Sequence, residues 1–526
     1  MSNDMKRNDF DDDERAYRQA AETRRQRRLK KRRHERNMRI LFITILGVII
    51  AAAAAAAVFL TRGHSGSRGG STQDAPVHET APAEDSVQII TEAPAQTEPA
   101  TEAPEPVTEV QTESQSDVLA QAETMALGYN YEGAIALLQS VPGYESDSSI
   151  TQAIAQYQAD LDSCVPVDPL TVPHIFYHSL INDPDSAFNV SVLGQSAVDG
   201  MNAWMTTVEE FDKITQQMYD NGYVFVRLRD LVVETTDENG NVHFEPNNNL
   251  LLPPDKKAVV LSVDDLSYYH SYEAASYPDK LVLDENGKVK CHYVKPDGTE
   301  EIGDFDVVPR LNTFLEEHPD GAYKGARGMI ALTGYNGVFG YRTDTDYRDK
   351  LNLMSDQAQW LEEHPEFSWE EDVEQAKIIA QALKDEGWEF ASHTWGHLSV
   401  TNKTADELRI DNEKWVNTVE NIVGPVDTII FAHGNDIGDW TGYSADNEKY
   451  QYFKSAGYNF YCNVDSSTPY WVQITGDYVR QGRIDLDGYQ LYQASQGLTT
   501  VLDGMFTASE VFDTRRPTPV VANGEA

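Results

Sequence analysis

The chain has 526 residues, 40% hydrophobic and 10% aromatic, which allows several domains and at least one large core. Its formal charge of −43 is uneven: residues 1–39 hold 14 Lys and Arg against 8 Asp and Glu, and the remainder holds 28 basic and 77 acidic residues. So acidic a body repels nucleic acid, and three cysteines (Cys164, Cys291, Cys462) are too few for a disulfide framework.

In chain order, the basic tail 1–39 ends in "RRQRRLKKRRHERNMR", directly before "ILFITILGVIIAAAAAAAVFL" at 40–60. An uncharged helix of that length spans about 30 Å, the thickness of a bilayer core. The charge asymmetry predicts a transmembrane helix at 40–61, a cytoplasmic N-terminus and an extracellular C-terminal domain at the cell membrane. Residues 62–116, as in "TEAPAQTEPATEAPEPVTEV", have few large apolar side chains and predict a disordered, self-repelling linker. Apolar residues at helical spacing over 117–163 predict a small helical hairpin.

From 165 the text alternates. "VPHIFYHSLI", "YVFVRLRDLV", "KAVVLSVDD", "WEFASH", "DTIIFAHG" and "YNFYCNV" read as strands. "TTVEEFDKITQQMYDNG" and "EEDVEQAKIIAQALKDEG" read as amphipathic helices stopped by Gly222 and Gly387. This order predicts an α/β domain over 165–515 built as a parallel barrel or sheet, with chemistry at the C-terminal ends of the strands. An insertion at about 268–345 carries two turn signals, Asn286-Gly287 and Asp297-Gly298, and predicts a β-meander near the mouth. Residues 516–526 are expected to form a disordered tail.

The chemistry-bearing residues fall at predicted strand ends. His393 and His397, in "ASHTWGH", offer two imidazoles four residues apart. Asp264 and Asp265 end an otherwise apolar strand, where adjacent carboxylates repel unless a cation or donors compensate. A hydrolytic divalent metal needs about three protein ligands and an open position. One carboxylate can be a ligand and the other can take a proton from water. The expectation requires ligating atoms within roughly 5 Å of each other, about twice a coordination distance.

These residues resemble the motifs of the polysaccharide deacetylases, the NodB-homology domain of carbohydrate esterase family four. "LSVDDLSYY" is similar to that family's Thr-Phe-Asp-Asp-Gly motif, "HTWGH" to its His-Ser/Thr-x-x-His motif, and "FAHGND" falls where a third motif is expected. The resemblance implies a distorted (β/α) barrel that removes N-acetyl groups from a glycan using a divalent metal, zinc in many members. It implies Asp265, His393 and His397 as metal ligands, Asp264 as the base, and Thr394 beside the site. Three features depart from the pattern. Leu266 replaces the motif glycine, Ala432 and His433 stand where an arginine that tunes the base is expected, and no histidine follows His433. His433 and His178 are therefore the candidates for the general acid. Trp395 and Trp440 are candidate sugar-stacking residues. The expected activity is deacetylation of an N-acetylated extracellular or cell-wall glycan. The alternative is a catalytically impaired, deacetylase-like domain that binds glycan or organises the envelope.

Overall fold

Seven short parallel strands, each buried along most of its length, hydrogen-bond into a closed ring in the computed structural model, which describes residues 115–272 and 275–521. They are β1 (His174–Tyr177), β2 (Lys257–Asp264), β3 (Met329–Leu332), β4 (Glu389–Ser392), β5 (Thr428–Ile430), β6 (Phe460–Val464) and β7 (Val479–Asp485). Each pairs in parallel with the next, and β7 closes on β1. Both faces of the ring are covered, so β2 is buried from Ala258 to Asp264 and reads as a continuous apolar run.

The connecting helices follow from local signals. Val208–Asp220 starts on a capping box, in which the Thr207 hydroxyl accepts the Glu210 N–H and the Glu210 carboxylate accepts the Thr207 N–H. Phe211, Ile214 and Met218 recur on its buried face. Gly222 then reverses the chain at φ +81°, where a Cβ would lie 2.6 Å from the Asp255 carbonyl. One core layer lies between strands and helices, with Ile175, Leu261 and Ile330 among its members. A second fills the barrel floor with Val260, Ala331, Ala391, Ile430 and Cys462. Above that floor lies a polar band. His174 bonds Gln481 (3.1 Å) and Ser262 (3.0 Å), and Arg483 donates to Ser262 (3.1 Å).

Several expectations need correction. The segment expected as a hairpin at 117–163 forms three helices, Gln115–Leu127, Tyr131–Gln139 and Ser148–Ser163, because Asp147 caps a third one. They dock where the strands begin, through the Tyr129 hydroxyl on the Asp320 carbonyl (2.7 Å) and the Lys324 N–H on the Gly128 carbonyl (2.7 Å). The expected insertion at 268–345 is too long. Its meander is present as Lys280–Leu283, Val289–Val294 and Glu300–Gly303, but the barrel strand β3 and its crossover helix Val307–Glu317 fall inside the same stretch. "YVFVRLRDLV" supplies only Tyr223–Phe225, which pairs with the start of β2 outside the ring. The tail expected from 516 is packed at least to Val520, because the Arg516 guanidinium is buried on the Glu210 carboxylate.

The expected basic tail, membrane span and nearly all of the linker lie outside the described residues. Among the described residues no helix is long and apolar enough to cross a membrane.

Candidate metal centre and catalytic cavity

Six of the seven strand tips meet at one end of the barrel. A cavity of about 430 Å³ opens there, with Asp264 and Asp265 from β2, His393 and His397 from the segment after β4, and Arg483 from β7 on its wall. The donor atoms of Asp265, His393 and His397 all lie within 4.8 Å of one another. The His397 Nε2 to Asp265 Oδ2 distance is 3.4 Å, close to the edge of a tetrahedron with bonds of about 2 Å.

Each of the three is oriented by a partner. His393 Nδ1 donates to the Ile430 carbonyl at 2.7 Å, which leaves Nε2 as a lone-pair donor toward the carboxylates. Burial holds the His393 imidazole down at about 4, so the ring is neutral at working pH. One oxygen of Asp265 accepts the Tyr269 hydroxyl (2.6 Å), and Tyr269 in turn meets the Thr333 hydroxyl (2.6 Å). Burial would raise the Asp265 carboxyl, but His397 and His393 outweigh it and the net shift is downward. His397 arrives on a tight turn rather than a helix. The Asp411 carboxylate accepts the N–H groups of Trp395 (2.7 Å) and Gly396 (2.9 Å), and the Thr394 hydroxyl accepts the Leu398 N–H (2.7 Å).

Asp264 points inward beside this cluster, with Oδ2 3.8 Å from His393 Nε2. The Arg483 guanidinium grips both its oxygens, at 2.8 and 2.9 Å. Burial pushes the carboxyl up, yet the guanidinium wins and holds Asp264 at about 2. Arg483 stacks on Phe176, 3.9 Å from guanidinium carbon to ring centre. An arginine therefore does serve the Asp264 carboxylate, and it comes from the late strand "RQGRID" rather than from the β5 tip.

The two acid candidates differ. His178 lies on the cavity wall with Nδ1 buried and unpartnered, and burial lowers its pKa. His433 sits at the rim, its Nε2 engaged with the His397 carbonyl (3.2 Å) and its ring edge-on to His397.

The expected sugar-contact residues are placed less favourably. The Thr394 hydroxyl is occupied within its own turn. Trp440 is 55% exposed and packs edge-to-face on Trp471, away from the cavity wall. Trp395 lines an adjoining groove of about 500 Å³ that shares His397 and His433 with the cavity. Trp204 and Tyr272 supply aromatic walls instead, and no residue of the meander strands lines the cavity.

No family model matches the chain, and no curated protein matches it. Among solved structures it is similar to the Streptococcus pyogenes deacetylase PplD in complex with acetate, at 14% identity over 62% of this chain and 98% of that one, with a TM-score of 0.29. It is also similar to a Mycobacterium smegmatis protein assigned as a polysaccharide deacetylase, at 15% identity over 34% of this chain and 44% of that one, with a TM-score of 0.20. At these scores the likeness decides nothing alone, and the fold rests on the strand pairing described above.

Proposed function

We propose that this chain is a metal-dependent hydrolase that removes N-acetyl groups from a glycan. The observation that carries it is the convergence of Asp265, His393 and His397 within 4.8 Å, beside an ionised Asp264 on a cavity of sugar-ring size. Two imidazoles and a carboxylate are a donor set that suits zinc. Bound there, a divalent metal supplies Lewis acidity toward an acetyl carbonyl and an attacking water. Asp264 takes the water's proton, and the Arg483 fork keeps it ionised and aimed. His178 in its protonated form, made a stronger acid by burial, donates a proton to the departing nitrogen and returns to the neutral ring, since His433 already uses Nε2 on the His397 carbonyl. The glycan-binding alternative arose from a missing arginine and a missing late histidine. Arg483 and His178 offer both functions from other strands.

A neutral, N-acetylated cell-wall glycan suits a body this acidic, and the apolar run at 40–60 would hold the domain outside the membrane as part of the same proposal. The experiment is acetate release from N-acetylated glycan oligomers by zinc-, cobalt- or nickel-loaded protein. Release that disappears in Asp264→Asn supports the proposal. No release from any loaded form sinks it.

A further inference from the structure

One carboxyl on the cavity wall has no part in that chemistry. Asp485 ends β7, in register with Phe176 of β1 and two residues beyond Arg483. It faces the same cavity, beside the apolar wall of Phe176, Trp204 and Met205. Its Oδ1 is buried without a partner. Its carboxyl shares a hydrogen bond with the side chain of Asp487, which also caps the helix Gly488–Ser495 through the Gln490 N–H (2.6 Å).

An unpartnered buried carboxyl oxygen costs a fold its desolvation, whereas an apolar side chain of the same shape does not. Burial, reinforced by the neighbouring Asp487 charge, pushes the Asp485 carboxyl well above the usual carboxylate range. The wall therefore presents a carboxyl with a free oxygen next to aromatic and aliphatic faces. A sugar ring offers the complement, with an apolar face and hydroxyls that both donate and accept. Carboxyl torsions are broad, so the group can turn to meet such a hydroxyl.

We propose that Asp485 is a specificity-determining residue that hydrogen-bonds a ring hydroxyl of the bound sugar. This rests on the deacetylase proposal for its substrate class but assigns a group outside the metal and proton-transfer set. The test compares Asp485→Leu and Asp485→Asn with wild type. In Asp485→Leu, KM for N-acetylglucosamine oligomers should rise about tenfold, the size of one lost hydrogen bond, with kcat within about twofold. The preference for the oligomer over 4-nitrophenyl acetate should fall by the same factor, and Asp485→Asn should restore most of it. Asp485→Leu should unfold at or above the wild-type temperature. An unchanged preference, or an equal loss on both substrates, overturns the assignment. If wild type releases no acetate, the deacetylase proposal fails, and calorimetric oligomer affinity still tests Asp485. About tenfold weaker binding by Asp485→Leu upholds it, and equal binding overturns it.

Discussion

Replacing Arg483 with methionine tests the centre of the barrel most directly. The Arg483 and Asp264 side chains are 1% and 3% exposed and joined by two hydrogen bonds of 2.8 and 2.9 Å. Removing the guanidinium leaves the Asp264 carboxylate buried among His393, Ser262 and apolar groups with no full countercharge. Breaking a buried pair from one side costs about 3–5 kcal/mol, whereas replacing both partners with apolar residues is often near neutral. Urea unfolding of Arg483→Met should therefore show a loss in that range, and Asp264→Leu combined with Arg483→Met should recover most of it. Arg483→Lys keeps the charge but not the two-pronged grip, so its loss should be intermediate. Acetate release should be abolished in the double variant, because stability returns without the base. Additive single and double effects would refute the reasoning, since residues in one ion pair must couple.

Other outcomes follow from the same geometry. His393→Ala and His397→Ala should each bring bound metal well below one equivalent by elemental analysis, and unchanged content would remove them from the ligand set. His178→Asn should lower acetate release by about 10²–10⁴-fold while metal content stays at wild type. Asp411→Ala frees two N–H groups in the His393–His397 turn, and metal affinity by competition with a chelator should weaken about 10–100-fold. Burial raises Asp306 to about 6 and, with a contribution from Asp346, raises Asp344 to about 7, so the folded state holds these protons more tightly than the unfolded chain does. Their contribution is full below the ordinary value of 3.8 and is lost as pH rises through about 6 and 7. Asp264, lowered to about 2, acts in the opposite direction and only in acid. Buried His393, lowered to about 4, opposes them below its ordinary 6.5, so the check is a comparison: the urea midpoint of wild type minus that of an Asp306→Asn, Asp344→Asn double variant should fall between about pH 4 and 7, and a flat difference would contradict these assignments.

Much of this architecture was readable as text because it is local. The β2 run "KAVVLSVD" is apolar on both faces, and the Thr207 and Gly222 signals bound a helix on their own. β3 was missed because "MIAL" is four residues long and follows a stretch dominated by turn signals. Arg483 was missed for a different reason. Its partner Asp264 is 219 residues away, and no spacing rule links them. The available clue was a cation inside a buried strand, which is the same anomaly that drew attention to Asp264. Asp411 had no clue at all, since a carboxylate on a helix looks like a solvated face until the turn it pins is known. The candidate histidines and carboxylates were legible as types, but their orienting partners depend on which strand tips become neighbours.

Backbone conformation at those tips accounts for the departure at Leu266. Asp265, Tyr268, Thr394, His397 and His433 all have positive φ, between 48° and 62°. Non-glycine residues in this region cost of order 1–3 kcal/mol each and persist only where surrounding structure imposes them. Here the supports are visible. The Asp265 N–H is held by the Ala331 carbonyl (3.1 Å), the His393 N–H by the Leu332 carbonyl (3.0 Å), and the Thr394 hydroxyl closes its own turn. The strained position on the β2 tip is Asp265 itself, so position 266 has no need of glycine and can bury a leucine in the core. Strain on the ligand-bearing residues turns their side chains back over the barrel mouth. The hydrogen bonds that hold them come from β3 for Asp265 and His393, and from the turn itself and the helix-borne Asp411 for the segment that ends in His397. The donor cluster is thus fixed by the barrel itself, and a cation bound there as proposed would meet ligands that need little rearrangement.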